Sequence, residues 1–173
     1  MLKLVLYSIP LKLKKMKKKN KIGLNEAEAK KISDKLNILL SNYQLFYMNT
    51  RAFHWNIKGE NFFELHLKFE ELYNDSLIKI DEIAERILTL GFTPLHSYTD
   101  FLKNAKIKEV KNVTNGKKAI KEVVKSFELL LPIEREIMTL SGKIDDEGTS
   151  ALMSDYIREQ EKLVWMYSAF LGE

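Results

Sequence analysis

Apolar residues recur through most of this chain at the three- and four-residue spacing of an amphipathic helix. The pattern predicts a first helix from a cap at Asn25 to about Trp55, and a second helix from about Asn61 to Leu90. Gly91 follows the second segment, at the position where glycine commonly ends a helix. The first half of the chain is therefore expected to form two long helices joined by a tight turn.

The second half repeats this arrangement. The same spacing predicts a third helix from about Asn115 to Leu140 and a fourth helix from near Thr149 to about Phe170. Pro132 lies inside the third segment, where its ring removes one backbone hydrogen bond and should bend the helix.

A long connection, residues 92–113, separates the two pairs and contains a short helical segment near Tyr98–Asn104. Two tight helical hairpins joined by one long crossover form a four-helix bundle. We therefore expect an all-α fold: a four-helix bundle with a short extra helix in the long crossover between helices two and three.

The composition limits the metal chemistry that the chain can support. At 173 residues it is long enough for one domain with its own core. It contains no cysteine, so disulfides and thiolate metal sites are excluded, and any metal must be held by His, Asp and Glu. Such nitrogen and oxygen ligands favour iron, manganese or zinc.

The start of the chain does not have the pattern of an export signal. Its short apolar run comes before the lysines, whereas a signal peptide has its positive charges first. No run of about eighteen apolar residues, the length needed to cross a membrane, is present. We expect a cytoplasmic protein, and Met16 is an alternative start.

The net charge of +4 hides an uneven distribution. Eight lysines fall within residues 1–21, and the remaining chain carries 20 basic and 24 acidic side chains. A basic, flexible arm (1–22) before an acidic domain (23–173) is typical of a tail that contacts DNA non-specifically or another polyanion; the alternative is a solvated tail that aids solubility. The lysines placed to bind DNA are Lys12, Lys14, Lys15, Lys17, Lys18, Lys19 and Lys21.

Four potential metal ligands share one stripe of the second helix. Around the helix axis, Glu70, Asp81 and Glu85 lie about 40°, 60° and 100° from His66. His66 and Asp81 are nevertheless separated by about 22 Å along the axis. Since metal–ligand bonds are about 2.0–2.2 Å long, one chain cannot fold these groups around one centre.

Two copies of the helix, packed antiparallel about a twofold axis, remove this difficulty. Facing residue numbers then add up to about 151, so His66 meets Glu85 and Glu70 meets Asp81. The spacing therefore predicts a site built between two chains and duplicated by symmetry.

His54 lies twelve residues before His66, and the hairpin between the first two helices brings these two regions close. The alternative for the stripe is a solvated face with ion pairs. Glu82 is left out of the site because Lys79 and Arg86 offer it helical ion-pair partners.

Two segments resemble a known family. They are His54-Trp-Asn-Ile-Lys-Gly-Glu-Asn-Phe-Phe-Glu-Leu-His66, with Glu70 beyond, and Asp81-Glu-Ile-Ala-Glu-Arg86. Both resemble the Dps family of miniferritins, the DNA-binding proteins from starved cells, and the resemblance covers about residues 24–173. It implies a ferritin-like fold and a hollow shell of twelve subunits.

The resemblance also implies a ferroxidase activity, in which Fe(II) is oxidised, commonly by hydrogen peroxide. The Fe(III) product is stored, which protects DNA from oxidative damage. By matching, His54 and His66 come from one chain, and Asp81 and Glu85 come from its partner. Glu70 matches a position often held by Asp. Trp55 matches a tryptophan near the centre, where it would pass an electron; its alternative role is core packing.

The route of iron entry departs from the family pattern. Relatives often carry an acid where this chain has Ala151, so nearby acids become the candidates for lining a pore: Asp145, Asp146, Glu147 and Asp155. His96 matches no family role and is interpreted as a surface residue.

Two other functions remain open at this point. One is a nucleoid-compacting protein that acts through the lysine arm with little ferroxidase activity. The other is an assembly that binds iron passively or holds manganese in its place.

Overall fold

The structure, a computed structural model, describes residues 18–173. Most of the predicted basic arm, including the candidate DNA-binding residues Lys12, Lys14, Lys15 and Lys17, lies outside the described residues. The described chain is all-α, as predicted, and the short extra helix lies in the crossover. Its helices are α1 (Glu26–Asn56), α2 (Phe62–Thr89), α3 (Tyr98–Asn104), α4 (Gly116–Gly142) and α5 (Glu147–Leu171).

The helix ends follow their capping residues. Asn25 caps α1, as predicted, by accepting a hydrogen bond from the backbone N–H of Glu28. Helix α5 begins two residues earlier than predicted, because Asp146 caps it by accepting from the backbone N–H of Thr149. Helix α4 continues through Pro132.

The four long helices pack as two hairpins, α1 with α2 and α4 with α5, and α1 also packs against α4. The ring centres of Phe53 on α1 and Phe69 on α2 lie 5.6 Å apart. Those of Phe46 on α1 and Phe127 on α4 lie 5.2 Å apart. All four rings are almost fully buried, so α1 stands at the centre of the core.

Asparagines on α1 hold the long crossover against the bundle. Asn37 accepts a hydrogen bond from the backbone N–H of Leu95. Asn42 accepts from the backbone N–H groups of Lys106 and Ile107, both at 2.9 Å. Asn49 accepts from the N–H of Val110 at 3.0 Å and donates to the carbonyl of Lys108 at 2.8 Å. These bonds satisfy backbone groups that would otherwise be buried without partners, which fixes the path of a segment that has little regular structure.

The end of the predicted arm lies against the bundle. The backbone N–H of Glu26 donates to the carbonyl of Lys18, and the side chains of these two residues form an ion pair. The side-chain amide of Asn20 donates to the carbonyl of Leu90 at the end of α2. The chain before α1 is thereby joined to the α2 end of the bundle.

Helix α2 has one buried face and one exposed face that is partly apolar. On the exposed face Leu67, Leu77 and Ile78 are 54%, 52% and 60% exposed. None of the helices within residues 18–173 is long and apolar enough to cross a membrane. The apolar residues on this face of α2 are thus uncovered in the single chain.

Candidate metal centre

His54, in the last turn of α1, and His66, near the start of α2, lie side by side. Their rings are stacked with centres 3.7 Å apart and planes 20° from parallel. The ring of Phe62 stacks on the other face of His66, with ring centres 5.1 Å apart. The prediction that the hairpin brings the two histidines together is confirmed.

Each histidine is oriented by the backbone of the other. The Nδ1 atom of His54 lies 2.8 Å from the carbonyl oxygen of His66, and the Nδ1 atom of His66 lies 2.9 Å from the carbonyl oxygen of His54. A carbonyl oxygen only accepts, so both Nδ1 atoms carry the proton and donate. In a neutral imidazole this leaves the lone pair on Nε2, the arrangement that metal-binding histidines commonly adopt.

The turn between α1 and α2 sets this arrangement. Gly59 and Asn61 adopt positive φ angles of 94° and 60°, which glycine and asparagine tolerate better than most residues. The N–H of Lys58 donates to the carbonyl of Thr114, which ties the turn to the start of α4. The turn thus brings the end of α1 next to the first turns of α2.

Glu70 lies one turn beyond His66 and interacts with a tyrosine that the sequence analysis missed. The hydroxyl of Tyr73 donates to Glu70 Oε1 across 3.4 Å. The Tyr73 ring meets that of His54 edge-on, with centres 5.3 Å apart. Burial, and secondly the negative charge of Glu70, raises the pKa of Tyr73, so this side chain is a neutral phenol beside the histidines.

Trp55 is 58% exposed in the single chain, so its alternative role as a core residue is wrong there. The guanidinium of Arg51 lies over its indole ring, 4.9 Å from the ring centre. Arg51 also donates to the hydroxyl of Tyr47 at 2.6 Å. A tryptophan, an arginine and a tyrosine therefore follow one another along α1 next to the histidine pair.

Asp81 and Glu85 are exposed on α2, far along the helix from the histidines. Helix α2 is unbroken from Phe62 to Thr89, so the axial distance from His66 to Asp81 stays at about 22 Å. Residues 18–173 of one chain contain no group of three or more His, Asp or Glu side chains close enough to hold a metal ion. The single chain thus presents two separate ligand groups.

Glu82 is held by a contact with α5 and not by the ion pair with Arg86 that the sequence predicted. Its carboxylate accepts a hydrogen bond from the hydroxyl of Tyr156 on α5. Arg86 pairs instead with Asp146 and donates to Thr149, both at the start of α5. The tertiary contact with α5 outweighs the ion pair along the helix because exposed pairs of that kind contribute only a few tenths of a kcal/mol.

The same contact removes one candidate from the iron pore. Asp146 is 3% exposed and is occupied by Arg86 and Thr149. The other three acids, Asp145, Glu147 and Asp155, are exposed. His96 is exposed too, as predicted, and its Nδ1 atom lies 2.9 Å from the carbonyl oxygen of Pro94.

The sequence of this chain is similar to those of ferritin-like proteins. The family model for the ferritin-like domain matches residues 33–173. One relative is the "DNA protection during starvation protein" of Porphyromonas gingivalis, which is 40% identical to this chain. The match covers 86% of this chain and 93% of the relative.

Solved structures of two Dps proteins are also similar to this chain. A DPS protein from Vibrio cholerae, described as a member of a broad superfamily of ferritin-like diiron-carboxylate proteins, has a TM-score of 0.87 and 56% identity. The match covers 88% of this chain and 96% of that protein. A Dps protein from Bacillus brevis has a TM-score of 0.81 at 34% identity, over 84% and 97% of the two chains.

Proposed function

The chain belongs to the Dps family of ferritin-like proteins, and from that premise we propose that it oxidises ferrous iron at centres shared between two subunits and stores the ferric product. Iron is the substrate of this reaction and the stored product. The oxidant is hydrogen peroxide, and the store is the interior of a hollow shell of twelve subunits.

The observation that carries the proposal is the reciprocal bonding of His54 and His66. Because both Nδ1 atoms donate to backbone carbonyls, both Nε2 atoms remain available as ligands. Glu70 supplies an oxygen ligand one turn away on the same helix. Imidazole and carboxylate together suit ferrous iron, and carboxylate stabilises the ferric product.

The remaining ligands come from a second subunit. If two α2 helices pack antiparallel, Asp81 and Glu85 of one copy approach Glu70 and His66 of the other, and each pair of subunits has two such centres. The exposed apolar residues Leu77 and Ile78 lie close to the midpoint of this arrangement. Contact between two copies would bury them, which favours the same pairing.

The reaction needs two electrons for each peroxide. Two ferrous ions bound at one centre supply them, the O–O bond breaks, and two protons from solvent complete two water molecules. Because both electrons arrive at one site, hydroxyl radical is not released. Open coordination positions on each ion admit the peroxide.

The test is the double variant His54→Ala/His66→Ala. We expect it to lose rapid peroxide-driven iron oxidation, followed by stopped-flow absorbance after anaerobic loading with ferrous salt. His96→Ala is the matched control, because His96 is an exposed histidine away from the site, and it should react like the parent protein. Unchanged absorbance traces for the double variant would reject the proposal.

A second function, DNA binding through the basic arm, is favoured by the eight lysines of residues 1–21. Many arms on one shell would add up weak phosphate contacts and produce strong salt dependence. Removal of residues 2–17 leaves the contacts of Lys18 and Asn20 with the bundle in place. We expect this truncated protein to lose most of the low-salt gel shift of DNA; an equal shift for both proteins would exclude residues 2–17 as the contact.

A further inference from the structure

A buried polar cluster lies in the middle of the bundle, away from the candidate metal centre. The hydroxyl of Tyr43 on α1 donates to Glu134 Oε1 on α4 at 3.0 Å. The amide of Gln160 on α5 donates to the same carboxylate oxygen at 2.6 Å and to the hydroxyl of Tyr43 at 2.7 Å. All three side chains are at most 1% exposed.

This cluster is not fully satisfied. Glu134 Oε2 and Gln160 Oε1 are buried and have no hydrogen-bond partner. Burial raises the pKa of Glu134 to about 7, against the opposing hydrogen bonds from Gln160 and Tyr43. Near neutral pH this carboxylate can therefore take up a proton readily. Burial, and then the charge of Glu134, raises the pKa of Tyr43 well above its usual range, so the phenol keeps its proton unless it is oxidised.

A series of tyrosines connects the histidine pair with this cluster. The ring centre of Tyr73 is 5.3 Å from that of His54 and 6.3 Å from that of Tyr47. Tyr47 lies four residues after Tyr43 on α1, so their side chains are neighbours on one helix face. The ring of Tyr156 meets that of Tyr43 edge-on, with centres 6.0 Å apart.

We propose that Tyr73, Tyr47 and Tyr43 form a relay that carries an oxidising equivalent from the metal centre into the bundle core, where Glu134 takes the phenolic proton of Tyr43. The relay rests on the proposed function, because the oxidising equivalent arises there from hydrogen peroxide. It operates when a centre holds one ferrous ion instead of two.

The relay couples the reduction of peroxide to the oxidation of Tyr43. Peroxide takes one electron from the ferrous ion and one from Tyr73; its O–O bond breaks, and two solvent protons complete two waters. Tyr47 then reduces Tyr73, and Tyr43 reduces Tyr47. The net loss is one electron from Tyr43, whose O–H bond breaks as the proton passes to Glu134, leaving a neutral tyrosyl radical.

The charges along the relay favour transfer in this direction. The guanidinium of Arg51 donates to the hydroxyl of Tyr47, and this positive charge makes Tyr47 harder to oxidise. Tyr43 bonds instead to the carboxylate of Glu134, which stabilises an oxidised phenol and accepts its proton. The oxidised state is thus more stable on Tyr43 than on Tyr47.

The main test uses Tyr47→Phe, which interrupts the relay at a half-buried residue and removes only one hydroxyl. Protein loaded with one ferrous ion per centre is mixed with peroxide, freeze-quenched and examined by electron paramagnetic resonance. We expect the spectrum of a Tyr43 radical in the parent protein and its loss in Tyr47→Phe and Tyr43→Phe, where any remaining radical stays on Tyr73 or Tyr47 and has a different spectrum. Tyr98→Phe, which alters an 82% exposed tyrosine on α3, should keep the signal. An equal signal in all four proteins would overturn the relay.

A second experiment, carried out without iron, distinguishes a failure of the relay from a failure of the proposed function. Azide radicals oxidise exposed tryptophans, so metal-free protein carrying Trp165→Phe is oxidised at Trp55, whose ring contacts Arg51, the residue that also contacts the ring of Tyr47. We expect tryptophanyl absorbance to decay as tyrosyl absorbance grows, and Tyr47→Phe to abolish this conversion. Conversion at the parent rate in Tyr47→Phe would overturn the relay, even if the protein failed to oxidise iron.

Discussion

Glu134 is a carboxyl group in the core of a helical bundle, with hydrogen bonds only from neutral side chains. Its pKa is raised by burial from 4.5 to about 7. Between these two values the folded protein keeps a proton that the unfolded chain has released. Folding stability therefore falls by about 3 kcal/mol in total as the pH rises through this window, and it levels off above it.

Glu134→Gln should remove most of this pH dependence, because glutamine has nearly the same shape and does not ionise. We expect the melting temperature of the parent protein to fall more than that of the variant between about pH 5 and pH 8. Glu128→Gln, at an exposed position of the same helix, is the control and should behave like the parent. Parallel melting curves for Glu134→Gln and the parent would show that Glu134 does not titrate in this range.

The sequence indicated some of these residues and not others, for a physical reason. His54 and His66 were found because histidine is rare in this chain and because the hairpin brings them together. Tyr73 and Tyr43 were missed because a tyrosine at helical spacing is usually ordinary packing. Only the distances to Glu70 and Glu134 distinguish these two from other core residues.

At the scale of the helices, α2 and the start of α5 are joined through Arg86. Its guanidinium bonds to Asp146 and Thr149, the cap and first turn of α5. A Cβ atom added to Gly148 would lie 2.8 Å from Arg86 Nη1. The glycine therefore makes room for the arginine, and the arginine holds one end of each hairpin against the other.

Gly148→Ala should lower stability by about 1–3 kcal/mol, since the displaced guanidinium leaves the buried Asp146 without its charged partner. Gly142→Ala is the matched control, because a Cβ atom there would meet nothing within 4 Å and alanine has a higher helix propensity than glycine. Denaturant unfolding at neutral pH would measure both variants. A Gly148→Ala protein as stable as Gly142→Ala would contradict this role for Arg86.

Helix ends were predicted within a few residues because capping depends on local sequence, as at Asn25. The sequence marked Asp146 only as a candidate acid for the iron pore, because its role as a cap bound to Arg86 depends on a residue sixty positions away. The asparagines of α1 were equally hard to interpret. Their partners lie in the crossover, and no periodicity reports such contacts.

At the scale of the whole molecule, the exposed apolar residues Leu77 and Ile78 of α2 lie between its two ligand pairs, His66 with Glu70 and Asp81 with Glu85. Under the proposed pairing, Leu77 and Ile78 lie near the twofold axis, where each subunit covers the other. A charge placed there would be buried in both copies at once.

Leu77→Glu should therefore prevent assembly and abolish iron oxidation together. Analytical ultracentrifugation would report the size of the particle, and stopped-flow absorbance would report the oxidation rate. Leu77→Ile, which changes shape without charge, is expected to keep both properties. Normal assembly and oxidation by Leu77→Glu would place the subunit contact on another surface.

The reciprocal histidine bonds determine the order in which the centre is completed. Each ring is held by the backbone of its own chain, so a newly made subunit already carries a finished half of the centre. It lacks the carboxylates that complete that half until a second copy docks. Under the proposed function, the chemistry would begin only once a container for its insoluble product is being built.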